Sequence, residues 1–87
     1  MNLVFYVIAH NTLPLWMNKT RYGARGWVDH IMEARQFFKV SFANAARNVE
    51  IYDPASPKSG YNRPTLRAIN YTKIQKVTLT VDKIEDV

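Results

Sequence analysis

Histidine is the side chain best suited to proton transfer at neutral pH, and this chain has two, His10 and His30. A small nuclease could pair one of them with Glu33 or Glu50, while an arginine stabilises the phosphate. Nothing in the spacing brings such groups together. We therefore expect His10 to end a strand and His30 to be solvated beside a helix cap. On this interpretation the chain has no catalytic residue and is not an enzyme.

Metal and cofactor sites are not expected either. The motif Asp29-His30-x-x-Glu33 puts a histidine and a carboxylate on neighbouring helical turns, but two ligands without further partners do not hold a metal. A surface ion pair is the better interpretation. Because the chain has no cysteine, zinc ribbons, disulfides and thiol catalysis are excluded. Its three glycines cannot supply a phosphate-binding loop.

Basic and aromatic residues occur together in two stretches, 21–27 and 61–71. Arginine neutralises phosphate and an aromatic ring stacks on a base, so the mixture fits nucleic acid; it fits an acidic protein surface equally well. For Trp27 and Tyr71, the alternative is a place in the core, which we favour for Trp27. The candidate macromolecule-binding residues are Arg21, Tyr22, Arg25, Tyr61, Arg63 and Arg67.

The positive charge is unevenly distributed along the chain. The formal net charge is +5, and residues 1–28 and 54–81 contain no acidic side chain. Four of the seven acids lie in 29–53 and the other three in 82–87. Folding could merge the two acid-free stretches into one positive face, which would attract phosphates or acidic proteins.

Length and composition indicate one domain, 1–87, with a Pro/Gly/Ser-rich loop at 54–64. Hydrophobic residues make up 47% of the chain, enough for a packed core. A secreted domain of this size would usually carry disulfides, so we expect a cytoplasmic protein. The apolar run at 1–9 is too short to span a membrane or to be a signal peptide.

Apolar patterning predicts three or four strands. Residues 3–9 are β-branched, aromatic or otherwise apolar, as in a central strand buried on both faces. Residues 13–17 form a second strand that Pro14 pushes toward an edge, and 27–28 a short third one. In the last strand, 77–81, apolar residues alternate with polar ones, and a phase slip between Ile74 and Val77 suggests a bulge or an irregular entry.

Two short helices are predicted between these strands. Asp29 is the expected N-cap of the first, with Ile31, Ala34 and Phe38 on its apolar face. Ser41 is the expected cap of the second, which runs to about residue 48 with its apolar positions at Phe42, Ala45, Ala46 and Val49. The predicted class is therefore α+β, with a small antiparallel sheet of three to four strands packed on two short helices.

Short motifs in the first fifty residues form a series. They are Phe5-Tyr-Val-Ile8, a hairpin ending near Leu15-Trp16, Gly26-Trp27-Val-Asp29, and Ala34 followed by Phe37 or Phe38. With a second short helix and the valine-rich strand at 77–81, the series resembles a pattern common in small uncharacterised phage and prophage proteins. The 54–64 insert and Pro14 depart from that pattern. The resemblance implies a small accessory protein made during phage infection that binds and blocks a host machine, and it carries over no catalytic residue.

Three functions remain open at this point. The first is a non-enzymatic phage-type accessory protein that inhibits or modulates a host protein or nucleoprotein machine, in an anti-defence or host-takeover role such as anti-CRISPR activity. The second is a nucleic-acid-binding module that uses the same surface for DNA or RNA. The third is a small nuclease. No cofactor or membrane partner is expected, and the protein would be a monomer or a small homo-oligomer. The basic charge disfavours DNA mimicry, which requires a dense acidic surface.

Overall fold

The computed structural model describes residues 1–18, 26–55 and 65–86. Five of the six candidate binding residues lie outside these ranges: Arg21, Tyr22, Arg25, Tyr61 and Arg63. The same is true of most of the predicted loop at 54–64. In the part of the chain that is described, no helix is long and apolar enough to cross a membrane.

The protein belongs to the α+β class, as predicted. The strands are β1 (Asn2–His10), β2 (Trp16–Met17), β3 (Trp27–Val28), β4 (Glu50–Tyr52), β5 (Thr65–Arg67) and β6 (Thr72–Thr80). One α-helix, α1 (Val40–Ala46), and two 3₁₀ turns, Ile31–Glu33 and Ala68–Asn70, complete the described elements. Four strands form an antiparallel sheet in the order β3-β2-β1-β6, and β4 pairs with β5 in a separate two-stranded sheet.

Strand β1 lies between β2 and β6, as its unbroken apolar run predicts. The run is apolar throughout because both faces of the sheet are covered. Residues directly opposite each other on paired strands share a face, so Ile8 lies with Ile74, and Phe5 lies with Val77 on the other face. The first core, on the Ile8 face, contains Ile8, Met17, Trp27, Phe37, Ala43, Ile51, Ala68 and Tyr71. The second core, on the opposite face, contains Phe5, Val7 and Ala34.

The same arrangement explains the phase slip in the last strand, where a bulge was expected. The β1–β6 ladder runs without interruption from the Asn2–Thr80 pair to the His10–Thr72 pair, so the prediction of a bulge or an irregular entry is wrong. Ile74 packs against the first core, whereas Val77 and Leu79 pack against the second. The apolar positions change phase because the strand buries one face near its start and the other near its end.

Strand β2 is shorter than predicted and is not an edge strand. It covers only Trp16–Met17 and lies between β1 and β3. Pro14 lies in the turn before the strand, where its missing N–H removes no ladder hydrogen bond. The prediction that Pro14 drives this strand to an edge is therefore wrong.

The prediction of a first helix is also wrong, because the residues of its second half form backbone hydrogen bonds with strands of the sheet instead. Only Ile31–Glu33 forms a 3₁₀ turn, and Ala34 already has an extended backbone. Arg35 donates its backbone N–H to Met17, and Phe37 exchanges two backbone hydrogen bonds with Tyr6. Residues 35–37 thus occupy the side of β1 that the short β2 leaves open, and carry the chain from the second core to the first.

The caps of the helical segments differ from the predicted ones. His30, not Asp29, caps the first 3₁₀ turn, and its side chain accepts a hydrogen bond from the Met32 backbone N–H. Helix α1 begins after Lys39 rather than after Ser41, without a side-chain cap. Its fully buried residue is Ala43. The prediction that Phe42 and Ala45 face the core is wrong, because both are exposed.

Candidate functional site

His10, the first candidate for chemistry, lies buried at the end of β1 with 4% of its surface exposed. Its Nε2 lies 2.7 Å from Oδ1 of Asp53, the residue that follows β4. Its Nδ1 accepts hydrogen bonds from the backbone N–H groups of Thr12 and Leu13, both at 3.1 Å. The ring therefore joins the end of β1 to the turn after it and to the end of β4.

These partners determine which ring nitrogen of His10 carries the proton. A backbone N–H can only donate, so Nδ1 must be the unprotonated acceptor. Nε2 then bears the hydrogen and donates it to the Asp53 carboxylate. Both nitrogens are engaged inside the protein, which leaves neither directed at a substrate. This geometry makes His10 a structural residue.

Nuclear magnetic resonance can test this assignment directly. We expect the ¹⁵N shifts of the His10 ring at neutral pH to report the Nε2–H tautomer, with a slowly exchanging Hε2, because the group is buried and hydrogen-bonded. His30 is the matched control, since its ring is exposed and should show fast proton exchange. A mixture of tautomers at His10 would contradict the assignment.

Two aromatic rings enclose His10. The Trp27 and Tyr71 centroids lie 5.6 and 5.7 Å from the His10 ring. The Trp27 indole N–H donates to the Tyr52 carbonyl at 3.0 Å, and the Tyr71 hydroxyl donates to the Ile51 carbonyl at 2.9 Å. Both rings are buried, so the core interpretation of Trp27 and Tyr71 is confirmed, and neither ring offers a face for base stacking. We call His10, Trp27, Asp53 and Tyr71 the His10 cluster.

Tyr71 also makes the His10 cluster sensitive to strong alkali. Burial, and secondarily the negative charge of Asp53, raise the pKa of the Tyr71 hydroxyl well above its usual value. A raised pKa means that the neutral phenol is favoured in the folded state. The contribution of Tyr71 to the free energy of unfolding is therefore fully present below the ordinary tyrosine pKa of about 10. It declines as the pH rises above that value.

The other residues considered for chemistry are not brought together. His30 and Glu33 lie exposed around the first 3₁₀ turn, and Glu50 lies on β4. Among residues 1–18, 26–55 and 65–86, no group of three or more histidines and carboxylates could hold a metal ion. Arg67, the one described member of the predicted binding set, is exposed on β5 opposite Glu50.

A groove that was not predicted from the sequence lies between segment 35–38 and α1. It has a volume of about 430 Å³ and is lined by Arg35, Gln36, Phe37, Phe38, Phe42, Ala45 and Ala46. We call it the aromatic groove. Phe37 is buried, whereas Phe38 and Phe42 are 67% and 57% exposed. The expectation that Phe38 faces the core is therefore wrong.

Positive charge borders the aromatic groove. The Arg35 guanidinium carbon lies 4.8 Å from the centroid of the Phe37 ring, and the Lys39 ammonium lies 5.5 Å from that of Phe42. Within the described ranges, neither cation forms an ion pair, and no carboxylate lines the groove. The groove thus combines exposed aromatic surface with cations that have no neutralising partner there.

The adjacent phenylalanines were the signal in the sequence that could have revealed the groove. Phe37 pairs with Tyr6 of β1 and enters the first core, whereas Phe38 lies in the bend that follows and stays exposed. A helical interpretation of residues 29–38 conceals this, because it allows both rings a partly buried place.

No protein-family model, curated protein or solved structure matches this chain, so its function has to be inferred from its own residues.

Proposed function

We propose that this protein is a non-enzymatic binding protein that docks on a partner protein through the aromatic groove. The observation that carries the proposal is the exposure of Phe38 and Phe42 beside the buried ring of Phe37. Exposing two large aromatic side chains next to each other costs solubility without contributing to the core. Such patches mark interaction surfaces in soluble proteins.

The groove indicates the chemistry of the partner. Its aromatic walls and alanine-lined side accept an apolar side chain, the kind of anchor that dominates protein interfaces. Arg35 and Lys39 favour acidic side chains next to that anchor. The partner surface is therefore expected to present an apolar residue flanked by carboxylates.

The His10 cluster supports a binding role over the nuclease alternative. A general base must reach the proton that it removes, yet the two ring nitrogens of His10 are held by Asp53 and by the turn after β1. His30 is exposed but serves as a cap, with its Nδ1 accepting from the Met32 backbone. Neither histidine has a described carboxylate positioned to form a catalytic pair with a free ring nitrogen.

The biological setting belongs to the same proposal. The motif series at 5–38 supports a phage-type accessory protein that inhibits or modulates a host protein or nucleoprotein machine in the host cytoplasm, with anti-defence activity as one form of this role. Arg67 and the other predicted contact arginines belong to the same proposal as further positive charge for an acidic partner. The net charge of +5 supports an acidic partner.

Direct binding of single-stranded nucleic acid is the second candidate, and the exposed rings of Phe38 and Phe42 favour it specifically. Bases stack on exposed aromatic rings while arginine and lysine neutralise the phosphates. In that case the logarithm of the affinity would fall steeply with the logarithm of the salt concentration. A protein partner anchored in an apolar groove predicts a much weaker dependence.

A pull-down with a matched pair of variants tests the proposal. F38S/F42S removes the exposed walls of the groove, while the control M32S/L66S removes apolar side chains that are also exposed but do not line it. The wild type and the control should recover the same stoichiometric host protein, and F38S/F42S should bind it about 30-fold more weakly, equivalent to about 2 kcal/mol. Unchanged binding by F38S/F42S would contradict the proposal, and recovery of nucleic acid alone would favour the second candidate.

A further inference from the structure

Strand β6 presents an open sheet edge. It pairs with β1 on one side, and no described strand pairs with its other side. Arg47 occupies the start of this edge, because its guanidinium donates to the Thr72 carbonyl at 2.7 Å. The open part therefore begins at Lys73. A long unpaired edge is a template for another strand unless it is covered or blocked.

The hydrogen-bond pattern shows which residues of β6 face outward. His10 and Tyr6 direct their backbone N–H groups away from β6, toward Leu15 and Phe37. Even-numbered residues of β1 therefore form non-hydrogen-bonded pairs with β6, and their even-numbered partners must direct N–H and C=O toward the open side. These outward residues are Ile74, Lys76, Thr78 and Thr80.

Residues 81–86 continue β6 with opposite charge. The Val81 N–H still donates to the Met1 carbonyl, but residues 82–86 form no regular element and are exposed. This segment contains three carboxylates and one lysine, Lys83, which forms an exposed ion pair with Glu85, whereas β6 contains two lysines and no acid. Ile84 is also 74% exposed. Strand β6 and segment 82–86 are thus complementary in charge. The strand leaves backbone groups unpaired along its open edge, and the segment leaves the apolar side chain of Ile84 exposed.

We propose that two copies of this chain pair antiparallel along β6, with the two-fold axis at Leu79. Residues whose numbers sum to 158 then lie opposite each other. This register places Lys76 opposite Asp82 of the second copy and Lys73 opposite its Glu85. It also pairs apolar residues on both faces of the sheet, with Ile74 opposite Ile84 on the face of the first core and Val77 opposite Val81 on the face of the second. The four-stranded sheets of the two copies join into one continuous sheet.

Two nearby two-fold registers bring like charges together, and the registers with the axis at Val77 or Thr80 lack the opposite-charge pairs of Lys73 and Lys76. An axis at Lys76 opposes that lysine with its own copy, and an axis at Thr78 opposes Lys73 with Lys83. An axis at a residue, such as Leu79, pairs the outward-facing even residues with even residues, as an antiparallel ladder requires, whereas an axis between two residues would not. The proposed interface is separate from the aromatic groove, so it stands or falls independently of the proposed function.

Charge reversal with rescue tests this register. Sedimentation equilibrium of the wild type should show a monomer–dimer equilibrium with a dissociation constant below about 200 µM. K76E or D82K alone should weaken the dimer about 10-fold or more, because each reversal acts twice across the axis, and K76E/D82K together should restore it. E33K, a reversal at the exposed first 3₁₀ turn, is the net-charge control for D82K and should leave association unchanged. A strictly monomeric wild type, or a dimer that K76E and D82K leave intact, would overturn the proposal.

Cysteine cross-linking provides a second, independent measurement, made clean by the absence of native cysteine. At the axis, Leu79 faces its own copy in a non-hydrogen-bonded pair, a Cα separation of about 4.5 Å that permits a disulfide. L79C should therefore form a covalent dimer on mild oxidation. L3C, on the neighbouring strand opposite Leu79, should not. Equal cross-linking of both variants would exclude a second copy as the occupant. The same conclusion would follow if hydrogen exchange showed that the β6 amides are protected only when a host protein is bound.

Discussion

Replacing His10 with alanine is expected to lower the free energy of unfolding by about 3 kcal/mol. The substitution removes the hydrogen bond to Asp53 and leaves the Thr12 and Leu13 N–H groups without their acceptor. It also opens a cavity between the rings of Trp27 and Tyr71. Urea denaturation followed by tryptophan fluorescence measures the change.

Two further variants separate the causes of this effect. D53N keeps an oxygen that accepts from the His10 Nε2–H, so we expect a loss of only about 1 kcal/mol. H30A removes an exposed histidine that caps a single 3₁₀ turn, and should cost about 0.5 kcal/mol. If H10A and H30A unfold at the same urea concentration, the His10 cluster does not stabilise the fold.

Replacement by alanine is expected to cost much more stability at Phe5 than at Phe38. F5A should destabilise the protein by about 4 kcal/mol, because Phe5 is fully buried in the second core, whose other buried members among the described residues are Val7 and Ala34. F38A should change stability by less than about 0.5 kcal/mol, because most of that ring is already in water. Thermal and urea unfolding of the two variants give the comparison.

The contrast also separates folding from function. F38A should fold like the wild type but weaken partner binding, whereas F5A should reduce binding only through loss of folded protein. A large loss of stability in F38A would mean that its ring is packed in solution, and would remove the main support for the aromatic groove as a docking surface.

The proposed dimer and the proposed docking groove together predict how binding depends on the oligomeric state of the partner. A dimer formed along β6 would carry two aromatic grooves related by the two-fold axis. If the partner also presents two docking segments, simultaneous engagement would raise the apparent affinity without any new contact. Dimer-weakening variants such as K76E would then reduce binding to a dimeric partner but not to a monomeric one.

Comparison of the predicted and observed elements shows where local pattern is informative. The α+β class, the central position of β1 and the short strand at Trp27–Val28 all follow from runs and spacings of apolar residues, whereas α1 was predicted with the wrong start and the wrong buried positions. The core position of Trp27 is also confirmed. These features depend mainly on whether a short segment has apolar surface to bury, which the amino-acid types state directly.

The candidate sites could not be predicted in the same way. His10 and Asp53 are 43 residues apart, and only the packing of β4 beside the end of β1 brings them within 2.7 Å. The exposure of Phe38 depends on another part of the fold. Because β2 is short, residues 35–37 can lie beside β1, and Phe37 pairs with Tyr6 there. Five of the six predicted contact residues lie outside the described ranges, so that part of the binding surface stays a prediction.

By itself, the sequence determined which segments bury apolar surface, the excess of positive charge and the absence of thiol chemistry. The tertiary structure decided which face each segment buries, which ring nitrogen of His10 is protonated, and which phenylalanines remain in water. The physical reason is that burial of apolar surface is a property of composition over a few residues. Hydrogen bonds between distant segments depend on the register of the sheet, which forms only when the whole chain is folded.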